Sequence, residues 1–179
     1  GAGQFASGGD GVVVHPAPRR KGDVGAFFFV DVAAKGDREH DQVGLQVVHN
    51  AADPAAAVVD IYVNEELNLD DFAFREATPF LEVPAGVELR IGVAPGTSGG
   101  PEDIIATIPV TLENGETYVA VANGVLDPSQ FAENPDGIET AFELLVRKKA
   151  RETGKKSDKV DLLVLHGATD APAIEVFAR

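Results

Sequence analysis

The feature that most constrains this chain is a pattern it carries twice. Leu45 to Asn64 reads LQVVHNAADPAAAVVDIYVN, and Leu162 to Arg179 reads LLVLHGATDAPAIEVFAR. In each copy an apolar run ends in a histidine, His49 or His166, and an aspartate follows four residues later, Asp53 or Asp170. A second apolar run then carries an acid close to an aromatic, Asp60 with Tyr62 or Glu175 with Phe177. Two apolar runs joined by a turn read as a β-hairpin. Recurrence of such a pattern within one chain marks a structural unit. The second copy breaks off after its opening hairpin, so the expectation is one full module followed by the start of another.

The rest of the chain is built from short apolar runs separated by turns. Val87, Leu89, Ile91 and Val93 alternate with Glu88, Arg90 and Gly92, the period of a strand with one face in a core. Ile104 to Leu112 and Thr117 to Val125 flank Glu113-Asn114-Gly115-Glu116, and Asn-Gly between apolar runs is a strong hairpin signal. Leu67 to Phe74, Thr78 to Val83 and Ala141 to Val146 are further strand-like segments, and helical periodicity is almost absent. These signs predict an all-β fold: an antiparallel β-sandwich of immunoglobulin-like architecture with extra terminal strands. The polar break from Lys35 to Asp41 sets the boundaries. Residues 1–42 form an N-terminal arm with its own strands, 43–148 the β-sandwich domain, 149–159 a basic linker, and 160–179 the partial second repeat.

Within the arm, Phe27-Phe28-Phe29-Val30 places four bulky apolar residues in succession. Successive strand side chains point to opposite faces, so both faces of such a strand must be covered. A central core strand and a strand buried against another subunit satisfy this equally.

Three stretches, VVHNAADPAAAVVDIYVN at 47–64, FLEVPAG at 80–86 and TLENGETYVAVANG at 111–124, carry a family resemblance. The chain resembles domain of unknown function 4397, a β-sandwich module of secreted and cell-surface prokaryotic proteins that often occurs in tandem. The resemblance covers roughly residues 43 to 146, and the tandem habit accounts for VLHGATDAPAIEVFA at 164–178. It implies the fold and an exported location, and it carries no catalytic residues. Two departures stand out. The first copy is two residues longer between Asp53 and Asp60 than the second is between Asp170 and Glu175, and residues 1–42 have no counterpart.

The net charge of −14 repels nucleic acid and anionic membrane surfaces, so neither is expected as a partner. No apolar run approaches the roughly 20 residues needed to span a bilayer, so membrane insertion is not expected. The chain has no cysteine, which removes disulfides and thiolate chemistry, and no methionine. A start at Gly1-Ala2-Gly3 without an initiator Met suits signal-peptide cleavage or excision, so the expected location is extracellular, at the cell surface.

Catalytic constellations are hard to find. Ser98 lies in GTSGG, which is neither a nucleophile elbow nor a phosphate loop, and no histidine spacing matches a zinc site. His15, His49 and His166 follow apolar runs and meet turns, where an imidazole can hydrogen-bond the backbone. His49, Asp53, His166 and Asp170 are therefore read as structural turn residues, since Asp commonly closes a turn through its own backbone. Calcium is the one cofactor left open, with Asp127, Asn134 and Asp136 as oxygen ligands in one irregular loop.

An isolated hairpin is marginal in water, so the second copy needs a host sheet. That host is either the chain's own N-terminal strands or an open sheet edge of a neighbour, as in strand addition. Phe27, Phe28, Phe29, Val30, Leu163, Leu165, Ile174, Val176 and Phe177 are the expected assembly surface. The expected function is a non-enzymatic subunit of a surface filament or layer whose partner is another copy of itself. The alternative is an adhesion or binding module of a larger cell-surface protein.

Overall fold

The computed structural model describes residues 42–154, 156–158 and 162–177. His15 and the Phe27–Val30 segment of the expected assembly surface lie outside the described residues. Among those described, eight strands form: β1 (Gln42–Asn50), β2 (Val58–Val63), β3 (Glu66–Ala73), β4 (Leu81–Pro84), β5 (Glu88–Pro95), β6 (Ala106–Thr111), β7 (Thr117–Asn123) and β8 (Glu143–Lys148). They make two four-stranded sheets, ordered β4-β1-β7-β8 and β3-β2-β5-β6.

The sheets share one core, which makes the domain an all-β sandwich. Val43 and Leu45 of β1 and Tyr118 and Ala120 of β7 meet Leu89 of β5 in one buried cluster. Val59, Leu69, Phe72 and Val93 form a second, nearer the turn that follows β1. All neighbouring strands run antiparallel except β1 and β7, which pair in parallel from Gly44–Thr117 to Asn50–Asn123. The first sheet is thus mixed, where the sequence suggested antiparallel pairing throughout.

Two links that read as hairpins are crossings between the sheets. β1 pairs with β4 and β7, whereas β2 pairs with β3 and β5. Asn114-Gly115 likewise leads from β6 in one sheet to β7 in the other. The reason is that alternation fixes which face of a strand is buried, and an inward face reaches the same core from either sheet. Tyr118, 2% exposed, closes the β6–β7 crossing through its hydroxyl, which accepts from the Glu113 amide at 2.8 Å. Asn64-Glu65, by contrast, is a true two-residue hairpin turn between β2 and β3. Both residues have positive φ, 51° and 71°, the hand that matches strand twist.

The described residues of 149–158 form no helix or strand, and those of 162–177 hold a turn at Thr169–Asp170 and no strand. The hairpin expected over 160–179 is therefore not a ladder among the described residues. The physical reason lies in the first copy: β1 and β2 do not pair with each other, so their counterparts have no mutual ladder to form. Each would need its own neighbouring strand.

Candidate functional site

The turn between β1 and β2 is organised by His49 and Asp53. His49 is 2% exposed, and its Nε2 lies 2.8 Å from the carbonyl oxygen of Ala56. Its ring packs against Phe72 and Phe74, with centroids 5.7 and 6.1 Å away. Burial pushes the imidazole pKa below its ordinary value, against the opposing pull of the Ala56 bond and the Glu76 charge. Asp53, also buried, accepts from the Ala55 amide with one oxygen and from the Leu126 amide with the other, both at 2.8 Å. It thereby caps the one-turn 3-10 helix Pro54–Ala56 and ties it to the segment after β7.

The second copy repeats half of this geometry. His166 Nε2 lies 3.0 Å from the Pro172 carbonyl oxygen, closing the same loop, but this imidazole is exposed. Asp170 is exposed and makes no hydrogen bond among the described residues, unlike Asp53.

What holds the second turn is the sandwich itself. Asn134, buried in the loop between β7 and β8, donates from Nδ2 to the carbonyls of Thr169 and Ala171, each at 3.1 Å. The Ala173 amide donates to Asp136 Oδ2 at 2.6 Å. Gly167 lies directly against the amides of Asn50 and Asn123 at the ends of β1 and β7, where a β-carbon would collide with both. The arms on either side of this anchored turn are exposed, Leu162 by 80% and Phe177 by 79%, with Leu163, Leu165, Ile174 and Val176 also open to solvent.

The calcium candidates are thus engaged with protein groups. Asn134 Oδ1 accepts from the Asp136 and Ile138 amides, and Asp136 holds Ala173. Asp127 accepts from the amide and hydroxyl of Ser129, which hold its carboxyl below the usual carboxylate range.

A different acidic group is closer packed. Asp60, Asp70 and Asp71 bring one carboxylate oxygen each within 4.8 Å of the others, an arrangement a hard cation could use. Asp60, only 1% exposed, already spends both oxygens: Oδ1 accepts from the Asp71 amide at 2.9 Å and Oδ2 from the Ser98 hydroxyl at 2.5 Å. Asp71 has φ +57° at a register shift between β2 and β3, so Asp60 satisfies an N–H that the bulge removes from the ladder. Tyr62 hydroxyl lies 2.8 Å from Ser98 Oγ, which completes a network under the loop after β5. Sequence reasoning set Ser98 aside and did not single out Asp60 as buried. The available signal was an aspartate inside the otherwise apolar run VVDIYV.

A two-sheet sandwich with a histidine-closed crossing, holding a second His-to-Asp turn against its β7–β8 loop, is a β-sandwich domain. A family model described as a domain of unknown function, DUF4397, matches residues 43–177, and the chain belongs to that family. The match runs past β8 and through the docked turn. No curated protein matches the chain.

Proposed function

We propose that the chain is a non-enzymatic extracellular structural subunit of a surface filament or layer, joined to neighbouring copies by β-strand addition through its terminal segments. The observation that carries this reading is the pair of apolar arms around the docked turn. The turn is fixed by Asn134 and Asp136, whereas Leu162, Leu163, Val164, Ile174, Val176 and Phe177 lie exposed on chain that pairs with nothing described. Apolar segments with free backbone groups are what a neighbour's sheet edge recognises. Addition of that kind is head to tail and extends into filaments unless a rotation closes it.

Light scattering and electron microscopy test it. The wild-type chain should polymerise with concentration, and the double variant Leu163→Lys, Val176→Lys should remain a folded monomer. Deleting residues 1–32 tests the other terminus, and unchanged assembly would refute a role for that arm. A wild type that stays monomeric at every concentration would refute the subunit reading.

The second reading, an adhesion or binding module of a larger cell-surface protein, is favoured by the docking of residues 166–173 on the sandwich. A following module begun by this segment would be held at a set orientation. A monomer in light scattering is its expected outcome.

A further inference from the structure

The space between the two sheets is not filled. It holds a cavity of about 250 Å³ whose wall includes Leu45, Val47, Phe72, Ala120 and Leu144, together with His49. His49 Nδ1 is buried and has no hydrogen-bond partner. Its Nε2 faces the Ala56 carbonyl oxygen, and a carbonyl only accepts, so Nε2 carries the proton and Nδ1 is a bare acceptor. The lowered pKa agrees, because it keeps the ring neutral at neutral pH. Buried polar atoms almost always find a partner.

A lone water answers this poorly. Buried waters make about three hydrogen bonds. The other polar side chains on the wall, Asn64 of the β2–β3 turn and Glu66 and Asn68 at the start of β3, lie at the far end of β2 from His49. The wall around His49 asks instead for a molecule that brings an apolar body and a single donor. An apolar cavity of about 150 Å³ takes benzene. One of about 250 Å³ has room for a ring with a short substituent.

We propose that the sandwich core is a binding site for a small apolar molecule bearing one hydroxyl, an alcohol or phenol, whose O–H donates to His49 Nδ1 while its hydrocarbon fills the cavity. The site lies between the sheets and needs no neighbouring copy, so it stands or falls separately from assembly.

The probes are 4-ethylphenol and ethylbenzene, which share a body and differ by the donor. Calorimetry and NMR titration of the whole chain should show 4-ethylphenol binding about tenfold or more tightly than ethylbenzene, the worth of one matched hydrogen bond. Saturable shifts are expected at the methyls of Val47 and Leu144 and at the Nδ1 resonance of His49. Ala120→Leu, which fills the cavity from β7, should abolish binding of both probes, and His49→Phe should erase the preference between them. The proposal is overturned if neither probe shifts these resonances saturably, if the wild type binds both equally, or if binding survives Ala120→Leu. Should a variant fail to fold, the wild-type preference and the Nδ1 shift decide alone.

Discussion

The imidazole of His49 donates to the carbonyl oxygen of Ala56 at 2.8 Å, across the turn that carries the chain from one sheet to the other. Truncation by His49→Ala removes that donor and opens space beside Phe72 and Phe74. The expected cost is about 2–4 kcal/mol. His166→Ala removes the equivalent contact from an exposed ring and should cost less than about 0.5 kcal/mol. Urea unfolding at pH 7 compares them, and equal costs would contradict the difference in burial.

Stability should also depend on pH through His49. Folding holds its pKa below the ordinary 6.5, chiefly because burial disfavours the imidazolium. Below pH 6.5 the unfolded chain binds a proton that the folded chain does not. The contribution is therefore complete above that pH and is lost as pH falls from 6.5 toward the folded value. Thermal melts between pH 7 and 5 should show a steeper decline for the wild type than for His49→Gln.

Asp60 holds the β-bulge at Asp71 and the hydroxyl of Ser98 at once. Asp60→Ala leaves the Asp71 amide without its acceptor and should cost about 2–4 kcal/mol. Asp60→Asn keeps an acceptor for that amide and offers an N–H to Ser98, so it should cost about 1 kcal/mol or less. Guanidinium denaturation would distinguish the two, and an Asn variant as unstable as the Ala variant would mean that the charge itself matters.

The docked turn should be separable from the sandwich. Asn134→Ala removes both bonds to Thr169 and Ala171, Asp136→Ala removes the acceptor of Ala173, and Gly167→Val forces the turn off Asn50 and Asn123. In each, amide exchange at Ala173 should accelerate about tenfold or more while Val121 in β7 keeps its protection, because local opening draws on few contacts. Uniform acceleration across β7 would show that the turn stabilises the whole domain.

Much of the fold was legible because burial leaves a periodic trace. Leu89 and Val93 alternate with exposed Glu88 and Arg90, and the sandwich follows from several such runs separated by turns. The two crossings were not legible. Leu45–Asn64 and Ile104–Val125 each hold two amphipathic runs and a turn, and that pattern is the same whether the runs pair with each other or face each other across a core. Asn64-Glu65, the turn that does make a tight hairpin, contains no glycine to announce it.

The sequence alone determined the strand class, the family and the repetition of the His-to-Asp turn, since these rest on side-chain periodicity and on identities written in the chain. Only the tertiary structure decided which strand pairs with which, that Asp60 is buried beneath Ser98, and that the second turn is gripped by Asn134 and Asp136. Backbone hydrogen bonds are blind to side-chain identity, so pairing is chosen by the packing of both sheets at once. The grip on residues 169–173 joins side chains more than 30 positions away in sequence, which no local pattern encodes.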